Sequence, residues 1–196
     1  MSNQKVPFDR DDIVTQIRSV VDKLNDQRGF VMFSSSYDHE AGILGAMSVW
    51  ETEDDFRASL GTTLAARSEA LSALGGQALD EPRMYEVVFS ELNGGPAPGA
   101  MLMLTPGNVE AANFDSAMAD FRDRVVPRLK QLPGFLGVQQ LVDRTTGEGM
   151  TGTVWKDSES LEKAWEATEP MRAKSAAQGV AFGTSSRREV LFATTR

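Results

Sequence analysis

Cysteine is absent from this 196-residue chain, and histidine occurs once, as His39. The lack of cysteine excludes disulfides, thiol catalysis and every zinc or iron–sulfur site that needs a cysteine ligand. A single imidazole leaves little for histidine-based metal binding, and a Ser-His-Asp triad would have to use His39. The composition therefore predicts that the chain holds no metal.

Positive charge and long apolar runs are also scarce. Lys and Arg number 20 against 28 Asp and Glu, which gives a formal net charge of −8. Nucleic acids and anionic membranes bind clustered cations, so neither is expected as a partner, whereas a small-molecule ligand is compatible with this charge. No stretch approaches the roughly 18 apolar residues of a membrane span, and the polar first residues do not resemble a secretory signal. We therefore expect a cytoplasmic protein.

An internal repeat is the strongest feature that is present. A shift of 105 positions aligns the two halves without a gap over their central part. The identical residues include Gly29, Phe30, Val49, Trp50 and Arg67 in the first half, and Gly134, Phe135, Val154, Trp155 and Arg172 in the second. A duplication followed by fusion explains the match. Residues 93–99 are rich in Gly and Pro, so we predict one repeat at 1–92, a linker at 93–99 and a second repeat at 100–196.

Each half shows the same order of apolar patterns. The first half predicts a helix with its stripe from Ile13 to Leu24, strands at 30–36 and 43–50, a helix at 53–74 and a closing strand at 84–89. The second half predicts a strand at 100–105, a helix with its stripe from Phe114 to Leu132, strands at 135–142 and 150–155, a helix at 158–177 and a closing strand at 189–194. The opening strand of the first half, at 5–8, is short and polar, so we expect it to be stunted or absent.

The order β-α-β-β-α-β is that of the ferredoxin-like split βαβ unit, an α+β arrangement with two helices on one face of an antiparallel sheet. The other face of such a sheet needs an apolar partner. We therefore predict two ferredoxin-like repeats that pack sheet to sheet within one chain.

Several motifs resemble the dimeric α/β-barrel superfamily, in particular its antibiotic-biosynthesis-monooxygenase-like members. They are residues 133–135 (Pro-Gly-Phe), residues 154–161 at the passage from strand to second helix, residues 169–172 later in that helix, and the first-half echo at 49–56. Single units of that superfamily pair sheet to sheet. The resemblance implies that this chain is a tandem fused pair that forms the barrel by itself, either as a monomer or within a homodimer.

Aromatic residues are candidates for ligand binding. Trp50 and Trp155 fall at equivalent strand ends, where an indole either stacks on a planar ligand or closes the core. Tyr85 and Trp165 have no counterpart of the same type in the other half, so they would distinguish one pocket from the other. We take Trp50, Trp155 and Trp165 as candidate ligand-binding residues.

Two arginines, Arg67 and Arg172, lie within the apolar stripe of the second helix of each half. A buried cation needs a partner, and the closing strands offer Glu86 and Glu189, which predicts the ion pairs Arg67–Glu86 and Arg172–Glu189. The alternative is a guanidinium that binds a carboxylate or enolate oxygen of a ligand. In that alternative Tyr85, Arg67 and Arg172 are the candidate catalytic residues.

Cofactor motifs are missing as well. Neither a GxGxxG nor a P-loop pattern occurs, so no nucleotide site is indicated. Haem-binding members of the superfamily usually carry a histidine on the second helix, whereas His39 falls in a predicted hairpin turn, where we expect a solvated side chain. We therefore expect no cofactor.

Two functions remain open at this point. The resemblance implies a cofactor-independent monooxygenase acting on a small aromatic or polyketide-like substrate, whose carbanion reacts with oxygen itself. The alternative is a non-catalytic fused α/β-barrel that binds a small molecule or is purely structural. A pocket in which tyrosine, tryptophan and arginine converge would favour the first, and closed arginine–glutamate pairs would favour the second.

Overall fold

The computed structural model describes residues 1–92 and 96–195, which fall into two compact units. Unit 1 comprises residues 1–83 together with 189–195, and unit 2 comprises residues 84–188. The predicted linker at 93–99 lies partly outside the described residues, which do not include Asn93, Gly94 and Gly95. Helices and antiparallel strands alternate in both units.

Unit 1 is built on a small antiparallel sheet. Its elements are β1 (Ser2–Lys5), α1 (Arg10–Asn25), β2 (Phe30–Asp38), β3 (Ile43–Trp50), α2 (Glu53–Ala73), β4 (Gln77–Ala78) and the part of β10 (Ser186–Thr195) that begins at Glu189. The strand order is β4-β1-β3-β2-β10, and every pairing is antiparallel. The opening strand has four residues, so it is as short as predicted, although it lies at 2–5 rather than at 5–8.

Helix α1 is capped at its start and buries one apolar face in the core of unit 1. The side chain of Asp9 accepts a hydrogen bond from the Asp12 backbone N–H and so caps α1. Residues spaced three and four apart along one face of α1 are buried and pack against β2 and β3; they are Ile13, Ile17, Val21 and Leu24. Gly29 then turns the chain into β2 with a φ of 72°, and a Cβ at this position would collide with the Asp55 side chain.

Unit 2 repeats the plan with broken helices. Its elements are β5 (Glu86–Leu92), β6 (Met101–Val109), a 3₁₀ turn (Ala111–Asn113), α3 (Phe114–Asp120), a π-helical turn (Phe121–Val125), α4 (Val126–Leu129), β7 (Phe135–Val142), β8 (Glu148–Trp155), α5 (Ser158–Ala167), α6 (Glu169–Ala177) and β9 (Val180–Phe182). The strand order is β6-β8-β7-β5, with β9 against β6, and all pairings are antiparallel.

The prediction of two continuous helices in the second half is therefore wrong, and prolines give the physical reason. In the first helix the Val126 N–H donates to the Phe121 carbonyl five residues back, directly before Pro127. Proline has no N–H and its ring clashes with the carbonyl four residues earlier, so a regular α-helix is disfavoured there. In the second helix Pro170 has the same effect, and the chain breaks at Thr168 between α5 and α6.

Each sequence repeat contributes its closing strand to the compact unit that contains most of the other repeat. Strand β5 comes from the first sequence repeat but pairs with β7 of unit 2, with Val87 opposite Leu141. Strand β10 comes from the second repeat but pairs with β2 of unit 1, with Val190 opposite Ser36. The compact units therefore differ in their boundaries from the sequence repeats predicted at 1–92 and 100–196.

No helix among the described residues combines the length and the apolar character needed to cross a bilayer.

Candidate functional site

Unit 2 contains a cavity of about 110 Å³ between its helices and its sheet, here named the main chamber. Most of its wall is apolar, with Phe121 and Val125 from the π-helical turn and Leu161 and Trp165 from α5. The wall also carries five hydroxyl side chains, those of Thr105, Thr151, Thr153, Thr168 and Ser175. Cavities with a mostly apolar wall and a few polar groups are typical of small-molecule sites, which makes the main chamber the candidate site.

A second cavity of about 70 Å³, here named the side chamber, adjoins the first. Both chambers are lined by Phe121, Val125 and Phe182, so these side chains stand between the two spaces. The side chamber extends toward Asn108 and Asp120. The Asp120 carboxylate pairs with Arg124, and the hydrogen bond from Arg124 lowers the pKa of Asp120 against the opposing effect of burial.

Trp155 closes the sheet side of the main chamber. Its side chain is 2% exposed, its ring packs edge-on against Phe135 with 5.5 Å between centroids, and its indole N–H donates to the Thr153 hydroxyl at 2.9 Å. Trp50 in unit 1 packs on Phe30 in the same way, with a centroid distance of 5.4 Å and an indole bond to a hydroxyl two residues earlier. Both indole N–H groups are satisfied within the protein, so packing explains both residues and Trp155 adds a ring surface to the chamber.

Arg172 is the charged side chain among the described residues that line the main chamber. Its guanidinium carbon lies 3.4 Å from the centroid of the Trp165 ring. One guanidinium nitrogen donates to the Trp165 carbonyl at 2.9 Å and to the Thr168 hydroxyl at 2.6 Å. Burial lowers the pKa of Arg172 and nearby Glu169 acts in the opposite direction, but a guanidinium starts so high that it stays charged at neutral pH.

Arg67, the counterpart in unit 1, has a different environment. It donates to the backbone carbonyls of Asn3 and Asp80 at 3.4 and 2.8 Å, and its side chain is 13% exposed. The Asp80 carboxylate lies 4.0 Å away. Arg67 therefore ties the segment after α2 to β1.

The predicted ion pairs Arg67–Glu86 and Arg172–Glu189 are wrong. Glu86 pairs with Arg144, and Glu189 pairs with Arg10 and His39. The strand exchange is the physical reason, because it moves each glutamate out of the unit that holds the arginine of its own repeat.

His39 is half exposed and belongs to a small cluster around Glu189 rather than pointing freely into solvent. Its Nε2 lies 2.8 Å from the Glu189 carboxylate, and its ring packs against Phe8 with 4.6 Å between centroids. Burial acts to raise the pKa of Glu189, but hydrogen bonds with His39 and Arg10 outweigh it and lower that pKa.

The structure brings together three of the six candidate residues, Trp155, Trp165 and Arg172, at the main chamber. Trp50 and Arg67 belong to unit 1. Tyr85 is partly buried in the irregular segment before β5 and is not among the side chains that line either chamber.

Sequence reasoning missed the polar part of the wall. Thr151, Thr153 and Trp155 alternate along β8 and therefore share one face of the sheet, as Met103 and Thr105 do on β6. That period-two pattern was the available signal. The contribution of Phe182 depends on β9, a strand of three residues that the apolar pattern did not predict.

No family model matches the sequence. An uncharacterised protein of Mycobacterium tuberculosis (strain H37Rv) is 25% identical over 163 residues, which cover 83% of this chain and 72% of that protein. A second uncharacterised protein of the same strain is 30% identical over 80 residues, or 40% of this chain and 34% of that protein.

Solved structures resemble the chain over nearly its full length. A candidate monooxygenase of Fusobacterium nucleatum matches with a TM-score of 0.72 at 13% identity, covering 99% of this chain and 92% of that chain. An anthrone oxidase-like protein matches with a TM-score of 0.65 at 14% identity, covering 98% and 91%. A ferredoxin-fold protein of Listeria monocytogenes related to antibiotic biosynthesis monooxygenases matches with a TM-score of 0.53 at 10% identity, covering 96% and 94%. The predicted α+β, ferredoxin-like class is confirmed, and the chain has the fold of proteins related to the antibiotic biosynthesis monooxygenases.

Proposed function

We propose that the protein is a cofactor-independent monooxygenase that binds a small aromatic substrate in the main chamber as its phenolate or enolate anion. The observation that carries this proposal is that, among the described residues of the wall, Arg172 supplies one guanidinium and the other side chains are apolar or hydroxylic. A charge-assisted hydrogen bond is stronger in such a site than in water, so an anionic oxygen is favoured next to Arg172. The Trp165 ring beside it offers a stacking surface for a planar molecule.

The size of the site limits the substrate. The main chamber, at about 110 Å³, approaches the roughly 150 Å³ of an engineered cavity that binds benzene, so it suits one aromatic ring. A second ring or a bulky substituent would need the side chamber of about 70 Å³ as well.

The reaction needs little from the protein. A benzylic or enolisable CH₂ group loses a proton, and the carbanion gives its electrons to O₂. One oxygen atom ends as the new C=O and the other leaves as water, so that CH₂ and O₂ become C=O and H₂O without an external electron donor. In this scheme Arg172 stabilises the anion that forms, the apolar wall limits access of water, and solvent takes the proton. The names of the fold neighbours, a monooxygenase and an anthrone oxidase-like protein, are consistent with this reaction class.

Oxygen consumption tests the proposal. The purified protein, after exhaustive chelation, is supplied with single-ring and fused-ring phenols that enolise readily, and the product is analysed after reaction in ¹⁸O₂. We expect one labelled oxygen per product, and a loss of about 100-fold in kcat/KM in Arg172→Gln. Arg57→Gln, on the exposed face of α2, is the matched control and should retain full activity. Product without label, or equal rates in Arg172→Gln and the unaltered protein, would contradict the proposal.

A non-catalytic binding function is the second candidate. The observation in its favour is that neither a carboxylate nor an imidazole is found among the described side chains that line the main chamber. Quenching of the tryptophan fluorescence by phenols without any oxygen consumption would support binding alone.

A further inference from the structure

The wall of the main chamber includes the π-helical turn of Phe121–Val125, a feature that α1 of unit 1 does not share. In α1 the buried residues Ile17 and Val21 are four positions apart. In unit 2 the partly buried Phe121 and the buried Val126, which both belong to the core cluster of that unit, are five positions apart. Beyond this point the two halves match again without a gap.

The π-helical turn is therefore a one-residue insertion relative to α1. The extra residue lies in the turn that carries Phe121 and Val125, and it makes this turn wider than an α-helical one. The two apolar residues at its ends, Phe121 and Val125, line both chambers. In α1 the uninterrupted face packs Ile17 and Val21 directly into the core, each at 5% exposure.

We infer that this extra residue opens the main chamber and that Phe121 and Val125 determine the size of the ring it accepts. The inference rests on the proposed function only for the class of ligand, a single aromatic ring. The cavity itself requires nothing from Arg172. An uncharged ring such as benzene therefore probes the turn independently of any oxygenase activity.

The test removes the extra residue without removing a side chain that lines either chamber. Arg122 is exposed and is absent from both linings, so its deletion restores the four-residue spacing, although it also brings Asp120 and Arg124 one position closer in sequence. We expect this deletion to weaken benzene binding, measured by NMR titration, at least 10-fold. Arg122→Ala removes the same side chain but keeps the length, and it should bind benzene within twofold of the unaltered protein.

A second pair of variants applies if the deletion loses the native circular dichroism spectrum. Val125→Leu fills the chamber and should weaken benzene binding at least 10-fold, whereas Val20→Leu, at the equivalent position of α1, should leave it unchanged. In the unaltered protein, benzene should shift the methyl signals of Val125 and Leu129 but not those of Val20 and Leu24.

A folded deletion variant that still binds benzene normally would overturn the inference, as would a lack of binding to the unaltered protein. Loss of oxygenase activity in Arg172→Gln with benzene binding retained bears on the proposed function alone.

Discussion

The helices of unit 1 are continuous, whereas both helical segments of unit 2 are interrupted, and the main chamber lies against the interrupted pair. The two prolines at the interruptions, Pro127 and Pro170, stand where the first repeat has Asp22 and Ala65. Asp22 and Ala65 can donate the backbone hydrogen bond that a regular helix requires, and proline cannot. Unit 1 thus packs its first helix closely into the core, whereas unit 2 leaves a cavity beside its helices.

The two arginines at equivalent positions, Arg67 and Arg172, also differ between the units in what they contact. Arg67 is committed to two backbone carbonyls of unit 1. Arg172 binds the Trp165 carbonyl, which the helix break leaves without a regular helical donor because α5 ends two residues later, and it faces the chamber. The same residue type is held by backbone carbonyls where the helix is whole and lines a cavity where the helix is broken.

The largest expected effect is on stability when a ring is removed from the sheet side of the chamber. Trp155→Ala should lower the free energy of unfolding by about 3–5 kcal/mol, because this indole is 2% exposed. Trp50→Ala should cost less, since Trp50 is only partly buried. Urea unfolding of both variants measures the difference. A larger loss for Trp50→Ala would contradict the comparison of the two units.

The second effect separates the roles of the arginines. Arg67→Met should lower the free energy of unfolding by about 1–2 kcal/mol, because it removes the Arg67 hydrogen bonds to the Asn3 and Asp80 carbonyls, of which the Asn3 carbonyl keeps its bond from the Leu79 N–H. It should not change the binding of a phenolate probe, since Arg67 is in unit 1. Arg172→Met should abolish the contribution of charge to phenolate binding. Thermal unfolding and fluorescence titration of the two variants test this, and an effect of Arg67→Met on phenolate affinity would count against the assignment.

A smaller effect depends on pH. The pKa of Glu189 is lowered in the folded state, so its ionisation stabilises the protein above the ordinary value of 4.5 and this stabilisation is lost as the pH falls through the lowered value. Glu189→Gln should cost about 1 kcal/mol at pH 7, and the difference from the unaltered protein should vanish in acid. Urea unfolding at several pH values measures it. Glu86→Gln, whose carboxylate is more exposed, is the control in unit 2 and should cost less; a pH-independent loss in Glu189→Gln would contradict the prediction.

The smallest effect is a gain. Gly61 lies inside α2, and a Cβ there would meet open space. Gly61→Ala should raise the free energy of unfolding by about 0.5–1 kcal/mol, because alanine loses less backbone entropy in a helix. The second repeat already has Glu166 at the equivalent position, so Glu166→Ala should change stability less. Differential scanning calorimetry of both variants resolves the comparison.

Sequence alone predicts the local elements of this protein well. The stripe from Ile13 to Leu24 and the two hairpins follow from periodicity, and the equivalence of Trp50 and Trp155 follows from the ungapped repeat. These features depend on residues close in sequence. The ferredoxin-like order then follows from connecting them.

The pairing of the two closing strands cannot be predicted from the sequence pattern in this way. The segment Glu86–Leu92 has the pattern of a strand, but alternation of side chains does not say which neighbouring strand it joins. Both ion pairs were predicted wrongly because the sequence does not show which strand each closing strand joins. The helix breaks, by contrast, had visible signals in Pro127 and Pro170. The volume of the main chamber beside them depends on the packing of several elements, and no residue pattern gives that volume.

The strand exchange has a consequence for synthesis on the ribosome. The edge of β2 that receives β10 emerges from the ribosome roughly 8–30 s before β10 does, because about 150 residues separate Tyr37 from Glu189 and elongation adds about 5–20 residues per second. During that interval Ser34 to Tyr37 expose unpaired backbone groups that invite pairing with other nascent chains. Unit 2, whose strands all lie between residues 86 and 188, is complete before unit 1. The unit translated first therefore finishes folding last, and a slow tract of codons before residue 186 would lengthen the period in which a chaperone must protect it.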